Sequence, residues 1–254
     1  MVASEYTVVL SSYRFWRPVI PPPNSQSSSV SGPQSPSLSA LASLNFESTG
    51  TCLSLPAHTI LIHEGFTANR VFVIRSGSVK LMATSAEGRL LILRVATPGE
   101  VIGLGALSIG AHYRITAITA GLCIVKSIAR EDFLTLMRDS VEVSLGVSAA
   151  MTRDYNSAIL TARRLGLSSS AAGKLASALL DWARMNDLDD SPAHTSLPIS
   201  FTMPLTHEEL GSMAGLSRET TTRLLSKFRR EGLLDQVDEQ MVLHHPNQLE
   251  SLYC

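Results

Sequence analysis

The segment PLTHEELGSMAGLSRETTTRLLSKFRREGLL, residues 204–234, constrains the fold of this chain more than any other. Thr206 and Glu209 have the spacing of a capping box, in which each side chain bonds the backbone N–H of the other residue, so a helix is predicted to begin there. Gly215 is predicted to end this helix, and Ser217 is predicted to begin a second one as its N-cap. Two short helices joined by a tight turn form a helix-turn-helix.

The second helix is predicted to have one apolar face and one charged face. The residues predicted to pack inward are Leu210, Met213 and Ala214 on the first helix and Thr221, Leu224, Leu225 and Phe228 on the second. On the second helix, the first two turns carry Arg218, Glu219, Thr222 and Arg223 on the side opposite the apolar face. These turns read base edges in the major groove of DNA, where Arg can donate two hydrogen bonds to guanine and Glu can accept one from cytosine. We therefore predict these four residues to be base-reading.

A second group of residues is suited to DNA phosphates, which position a protein without specifying sequence. The predicted phosphate contacts are Thr206 and Ser217 at the helix N-termini and Lys227, Arg229 and Arg230 further along the second helix. Beyond them, residues 233–246 alternate around a turn and predict a β-hairpin wing. An ordinary helical hairpin with a solvated charged face is the alternative, and the Arg-Glu-Arg cluster and the wing favour DNA binding.

The composition of the 254 residues fits two domains and gives little sign of DNA binding by itself. The net charge of −1 means that any DNA contact must come from a local basic patch. The three cysteines are scattered and form no CxxC pair, which argues against a disulfide framework and a zinc site. Since neither a long apolar run nor a signal peptide is evident, we expect a cytoplasmic protein with no membrane contact, metal or cofactor.

The rest of the chain predicts an α+β protein. Residues 1–43 are rich in Pro and Ser and are predicted to be a disordered arm. Residues 44–130 contain short β-rich runs broken by turn residues, which predict an antiparallel barrel or jelly roll with a hairpin turn at Glu87-Gly88. Residues 131–166 follow a helical period, and residues 167–254 complete a winged helix-turn-helix domain.

The predicted helix over residues 131–166 has a narrow apolar seam. The seam residues are Met151, Tyr155, Ala158, Ala162 and Leu165. A seam this narrow suits pairing with the same helix of a second chain, which predicts a homodimer. The alternative is that the helix lies on its own barrel.

Two motifs resemble the Crp/Fnr family of bacterial transcription factors, over roughly residues 44–249. LPAHTILIHEGFTANRVFVIRSGSVKLM is similar to the first strands of its cyclic-nucleotide-binding barrel, and LSRETTTRLLSKFRREGLL is similar to its recognition helix. The resemblance implies a homodimer on double-stranded DNA, with RNA polymerase as a further partner. Ser217, Arg218, Glu219 and Arg223 match the family's SRE-xxx-R pattern, which implies half-sites similar to TGTGA.

The effector pocket of this family is degraded in the sequence. Members that bind cyclic AMP have a segment similar to GELGL followed by an Arg-Ser pair, whereas this chain has GLGAL and then YRITA. Leu104 replaces the glutamate, Ile115 replaces the serine, and Ala158 and Ile159 replace two hydroxyl residues that meet adenine. The pocket positions are Gly103, Leu104, Arg114, Ile115, Ala158 and Ile159. Cyclic AMP is therefore predicted not to be the ligand, and the effector is left open.

Two other functions remain as alternatives to a DNA-binding regulator. A metal-dependent jelly-roll enzyme would need clustered ligands, and His58, His63 and His112 are the histidines on the predicted barrel. An effector-binding scaffold without DNA binding is the third hypothesis. An oxygen-sensing iron–sulfur cluster needs about four cysteines, which this chain lacks. The HxH pattern with a following Glu that the enzyme would need is absent from residues 53–127, so we expect a regulator and not an enzyme.

Overall fold

The computed structural model describes residues 49–186, 198–238 and 240–254, so the predicted arm at residues 1–43 lies outside the described part. The first half of the described chain forms two four-stranded antiparallel sheets, ordered β1-β8-β3-β6 and β2-β7-β4-β5. The strands are β1 (Thr51–Leu55), β2 (Ile60–Ile62), β3 (Arg70–Ser76), β4 (Val79–Thr84), β5 (Leu90–Ala96), β6 (Val101–Ile102), β7 (Thr116–Thr119) and β8 (Cys123–Ala129). The sheets do not close into a barrel, so the jelly roll is the form that was confirmed.

The hairpin between β4 and β5 turns where the sequence predicts it. Ser85 N–H donates to the Arg89 carbonyl, and Gly88 N–H donates to the Ser85 carbonyl, both over 2.9 Å. Gly88 has a φ of 78°, a conformation that glycine adopts without strain. The β4–β5 hairpin packs on the C-terminal half of the chain through Met82, Ile92 and Val95.

Three helices follow or interrupt the sheets and lead to the C-terminal half. They are α1 (Leu104–Ile109), α2 (Arg130–Asp139) and α3 (Val141–Leu167), and α4 (Ala171–Asn186) comes directly after them. The prediction of a single helix over residues 131–166 is wrong, because the helix is interrupted at Ser140. Ser140 has extended backbone angles, and its hydroxyl accepts a hydrogen bond from Val143 N–H as the N-cap of α3. Helical periodicity continues on both sides of the break, so the sequence pattern alone conceals it.

The C-terminal half is a winged helix-turn-helix. Its elements are β9 (Ile199–Thr202), α5 (His207–Ala214), α6 (Arg218–Arg230), β10 (Leu234–Val237), β11 (Gln240–Leu243) and α7 (Pro246–Tyr253). The predicted wing is confirmed as the β10–β11 hairpin, and β9 extends it to three strands. Sequence analysis did not identify β9 or α7. The core of this half includes Met82, Ile92 and Val95 from the β4–β5 hairpin, so the two halves share apolar packing.

A buried arginine joins the jelly roll to α3. The Arg94 guanidinium, on β5, lies 2.5 Å from carboxylate oxygens of both Glu100 and Asp154. Burial opposes the charge of this guanidinium, but the two carboxylates together outweigh burial and raise its pKa. Burial also raises the pKa of the Asp154 carboxyl. The triad therefore consists of partly desolvated charges that compensate one another.

Replacing Arg94 with Met should lower the free energy of unfolding by roughly 3 kcal/mol, because the Glu100 carboxylate would stay buried without a cation. Asp154 is 42% exposed, so Asp154→Asn should cost less than about 1 kcal/mol. Urea denaturation of both variants at neutral pH and one protein concentration measures the difference. Equal losses would show that Arg94 contributes no more than a surface ion pair.

Candidate nucleic-acid interface

The predicted capping box at the start of α5 is confirmed, and its Glu209 side chain also bonds a residue of the jelly roll. Glu209 N–H donates to the Thr206 hydroxyl, and Thr206 N–H donates to Glu209 Oε2 over 2.9 Å. The other oxygen, Oε1, accepts from Lys80 Nζ on β4 over 2.5 Å. Burial raises the pKa of Glu209, but the bonds from Lys80 and Thr206 outweigh it and lower the pKa overall. The carboxylate is thus charged at neutral pH and holds α5 on the jelly roll.

A second bond and a close helix contact complete the positioning of the motif. Ser212, on α5, donates from its hydroxyl to the Leu90 carbonyl of β5 over 2.6 Å. Gly211 lies where α5 meets α6, and a Cβ there would lie 2.7 Å from Thr221 Oγ1 and 2.9 Å from the Leu216 carbonyl oxygen. Only glycine lets the two helices approach this closely. The inward residues predicted for both helices are all buried: Leu210, Met213, Ala214, Thr221, Leu224, Leu225 and Phe228.

The outer face of α6 presents charged side chains to solvent. Arg218, Glu219 and Arg223 are all exposed. Within the described part of the chain, none of the three side chains has a hydrogen-bond or ion-pair partner. Their donors and acceptors are therefore available to a ligand without breaking a contact inside the protein.

Thr222 differs from the other three predicted base-reading residues. Its hydroxyl donates to the Arg218 carbonyl and lies 3.0 Å from His207 Nδ1, at the first position of α5. Because this hydroxyl already has partners, the methyl group is the part of Thr222 left for a base contact. Sequence analysis missed His207, since the contact depends on how α5 crosses α6 and no spacing along the chain encodes it.

The predicted phosphate residues are distributed over several surfaces. Thr206 and Ser217 use their hydroxyls as N-caps of α5 and α6. Arg229 donates to the Gln236 side chain in β10 over 2.7 Å, and Lys227 lies 5.0 Å above the Tyr253 ring. Arg230 is exposed and, among the described residues, has no hydrogen-bond or ion-pair partner.

Helix geometry separates these cations by direction. At about 100° per residue, Arg230 projects within about 40° of Glu219 and Arg223, whereas Lys227 and Arg229 lie to either side. Arg230 therefore shares the outer face with Glu219 and Arg223, whereas Arg218 projects about 120° away from it, close to the direction of Arg229. Lys227 and Arg229 border that face and are already in contact with α7 and the wing.

The outward face of α3 carries a longer apolar stripe than the predicted seam. Residues spaced alternately by four and three are all exposed and are apolar, small or hydroxylic: Val141, Leu145, Ser148, Thr152, Tyr155, Ile159, Ala162 and Gly166. Of the predicted seam residues, Met151, Tyr155, Ala158 and Ala162 are exposed. Leu165 is half-buried, and its Cδ2 lies 3.0 Å from where a Cβ of Gly215 would be. Leu165 thus packs against the turn of the helix-turn-helix.

The predicted effector-pocket positions do not gather around one polar centre. Leu104 is 1% exposed inside the jelly-roll core, and Ile115 packs against that core. Arg114 is exposed and has no hydrogen-bond or ion-pair partner within residues 49–186, 198–238 and 240–254. Ala158 and Ile159 are also exposed. Gly103 has a φ of 91° at the start of α1.

Two kinds of site are absent from the described residues. No group of three or more His, Cys, Asp or Glu side chains there could hold a metal ion. No helix there is long and apolar enough to cross a membrane.

Comparison with known proteins matches both halves of the chain. A model described as a Crp-like helix-turn-helix domain matches residues 173–252, and a model described as a cyclic nucleotide-binding domain matches residues 52–140. The chain is 32% identical over 187 residues to regulatory protein CysR of Synechococcus elongatus, covering 73% of this chain and 80% of that protein. It is 27% identical over 192 residues to the cAMP-activated global transcriptional regulator CRP of Escherichia coli O6:H1, covering 74% and 87%.

A solved structure has the same fold. FixK2 from Bradyrhizobium japonicum superposes with a TM-score of 0.68 at 23% identity, covering 81% of this chain and 98% of that one. At this level of identity, the similarity concerns the fold alone.

Replacing Gly211 with Ala should destabilise the C-terminal half by about 1–3 kcal/mol, because the added methyl overpacks the contact between α5 and α6. Gly105→Ala is the matched control, since a Cβ at Gly105 in α1 would meet nothing within 4 Å. Thermal unfolding of both variants measures the effect. A Gly211→Ala protein as stable as the Gly105→Ala protein would contradict the close packing.

Proposed function

Because the chain belongs to the Crp/Fnr family of DNA-binding transcriptional regulators, we propose that it acts as a homodimer on a two-fold symmetric site in double-stranded DNA. The observation that carries this proposal is the exposed and unpartnered set of Arg218, Glu219 and Arg223 at the start of α6. The buried face of the same helix anchors it, so the three side chains project from a rigid element. Family members are regulators rather than enzymes, and we assign this chain no enzymatic activity.

Base reading is proposed for the first two turns of α6. Arg218 and Arg223 can each donate a bidentate pair to guanine, and Glu219 can accept from cytosine. Thr222 contributes its methyl group, which suits the methyl of thymine. Together with the match to the SRE-xxx-R pattern, these residues favour half-sites similar to TGTGA. Arg230, Thr206 and Ser217 are proposed to contact phosphates, and Lys227 and Arg229 are proposed to do so at the edges of the face.

Dimerisation is proposed through the outward stripe of α3. Alternating spacings of four and three keep the side chains on one seam, as pairing in a left-handed coiled coil requires. Leu145, Tyr155 and Ile159 are between 40% and 67% exposed in the single chain, so pairing would remove large apolar groups from water. A parallel pair of α3 helices would place the two copies of α6 on one side, about one turn of DNA apart.

Control by cyclic AMP is not proposed for this chain. Leu104 is buried in the core at the position of the nucleotide-binding glutamate, and Ile115 offers no hydroxyl. Ala158 and Ile159 likewise offer no hydroxyl. Each lost hydrogen bond weakens nucleotide binding by about 1–3 kcal/mol. RNA polymerase is the proposed protein partner, and the cytoplasm is the proposed location.

Selection of bound sequences from a random pool of DNA tests the half-site, the symmetry and the effector together. Two inverted TGTGA-like half-sites with centres about one helical turn apart are expected, with the same yield in the presence and absence of cyclic AMP. A single asymmetric site would contradict the homodimer. A gain in yield with cyclic AMP would contradict the proposal about the effector.

Replacing Arg223 with Ala should cost about 1–3 kcal/mol of binding to the selected site and relax base choice at one position of each half-site. Arg230→Ala should instead weaken binding to all sequences and reduce its salt dependence. Arg138→Ala, at an exposed position of α2, is the control. Fluorescence anisotropy with the selected and a scrambled duplex measures all three. Unchanged binding in the Arg223→Ala protein would favour a scaffold without DNA recognition.

A further inference from the structure

A cleft of about 240 Å³ lies where α3, α4 and α7 meet, away from the DNA-reading face of α6. Its volume is slightly below the range of about 300–1,000 Å³ that holds drug-sized ligands, so it suits a smaller molecule. The lining includes Arg163, Arg164, Ser177, Asp181, Arg184 and Glu250. Charged and polar side chains therefore make up most of the lining.

The charged side chains that line the cleft carry a net positive charge. Three guanidinium groups and two carboxylates line it. Arg164 bonds Asp181 over 2.7 Å, and Arg184 bonds Glu250 over 2.6 Å. Arg163 is exposed and has no hydrogen-bond or ion-pair partner among the described residues. One complete set of guanidinium donors is therefore free at the cleft.

The buried pair beneath the cleft is incompletely compensated. Arg164 is 3% exposed, and its Nε is buried without a hydrogen-bond partner in the described structure. Burial lowers the pKa of Arg164 and raises the pKa of Asp181, so desolvation outweighs their mutual attraction. Burial also raises the pKa of the Cys254 thiol, which keeps it neutral. Because Asp181 offsets the charge of Arg164 and Glu250 offsets that of Arg184, the excess positive charge of the cleft resides on Arg163.

We propose that this cleft binds a small oxyanion, the phosphate or carboxylate group of a metabolite. Arg163, on α3, and Arg184, on α4, both line the cleft and are the proposed donors, because guanidinium groups bind planar or tetrahedral oxyanions through paired N–H groups. The buried Arg164–Asp181 pair lies between these two donors in the lining and adds no net charge. Ser177 adds a hydroxyl, which lies 3.2 Å from Cys254 Sγ.

The position of the cleft suggests a regulatory consequence. It spans the connection between α3, the proposed dimer helix, and α4, which belongs to the DNA-binding half. A ligand that bridges Arg163 and Arg184 would favour one angle between these helices, and it could shift DNA affinity only through a different affinity for the two arrangements. This consequence rests on the proposed function, whereas binding of the oxyanion does not.

Calorimetric titration of the full chain with inorganic phosphate, and separately with succinate, tests the site without DNA. Chloride buffers of constant ionic strength remove general salt effects. Saturable binding of one anion per chain is expected, and preference for phosphate or succinate identifies the group recognised. No saturable binding of either anion would overturn the proposal.

Variants show where the anion binds. Arg163→Gln should weaken binding about tenfold or more, which corresponds to losing hydrogen bonds from a charged donor. Because Arg163 is exposed, the fold should remain intact, and Arg184→Gln tests the opposite wall in the same way. Arg138→Gln, outside the cleft, should bind as the unmodified protein does. Equal affinities in the Arg163→Gln and Arg138→Gln proteins would overturn the assignment to this cleft.

Measuring DNA affinity with and without the anion separates anion binding at the cleft from its regulatory consequence. A change in DNA affinity that disappears in the Arg163→Gln protein would support regulation through the cleft. Anion binding that leaves DNA affinity unchanged would overturn the regulatory consequence but not the site. Failure to bind any DNA would overturn the proposed function alone.

Discussion

The carboxylate of Glu209 is the contact on which the arrangement of the molecule depends. One oxygen completes the cap of α5, and the other accepts from Lys80 in the jelly roll. The same side chain thus begins the helix-turn-helix and attaches it to the rest of the chain. Because Gly211 then packs α5 directly on α6, the position of the recognition helix follows from this attachment together with the Ser212–Leu90 bond and the shared apolar core.

Buried cations lie at three junctions of the described chain. Lys80 joins β4 to α5, Arg94 joins β5 to α3, and Arg164 joins α3 to α4. Ion pairs of this kind contribute little net stability, because desolvation offsets much of their attraction. They are directional, however, and an apolar contact is not. We infer that they specify how the parts of the chain are oriented, while the apolar cores hold the parts together.

Much of the DNA-binding half could be predicted from sequence because the residues that begin and end its helices are close together along the chain. The capping box, the N-cap Ser217 and the turn at Gly215 each involve residues within a few positions of one another. The break at Ser140 could not be predicted, since helical periodicity runs through it. The contacts of His207 with Thr222 and of Lys80 with Glu209 join residues distant along the chain. Only the packed structure brings these pairs together.

The contact between Leu165 and the Gly215 turn gives α3 a mechanical role. Leu165 lies in the last turn of that helix, beside Gly215, which has no side chain that could move aside. A rotation of α3 about its own axis would therefore press directly on the turn that separates α5 from α6. The C-terminal end of α3 is therefore coupled to the orientation of the recognition helix through this one apolar contact.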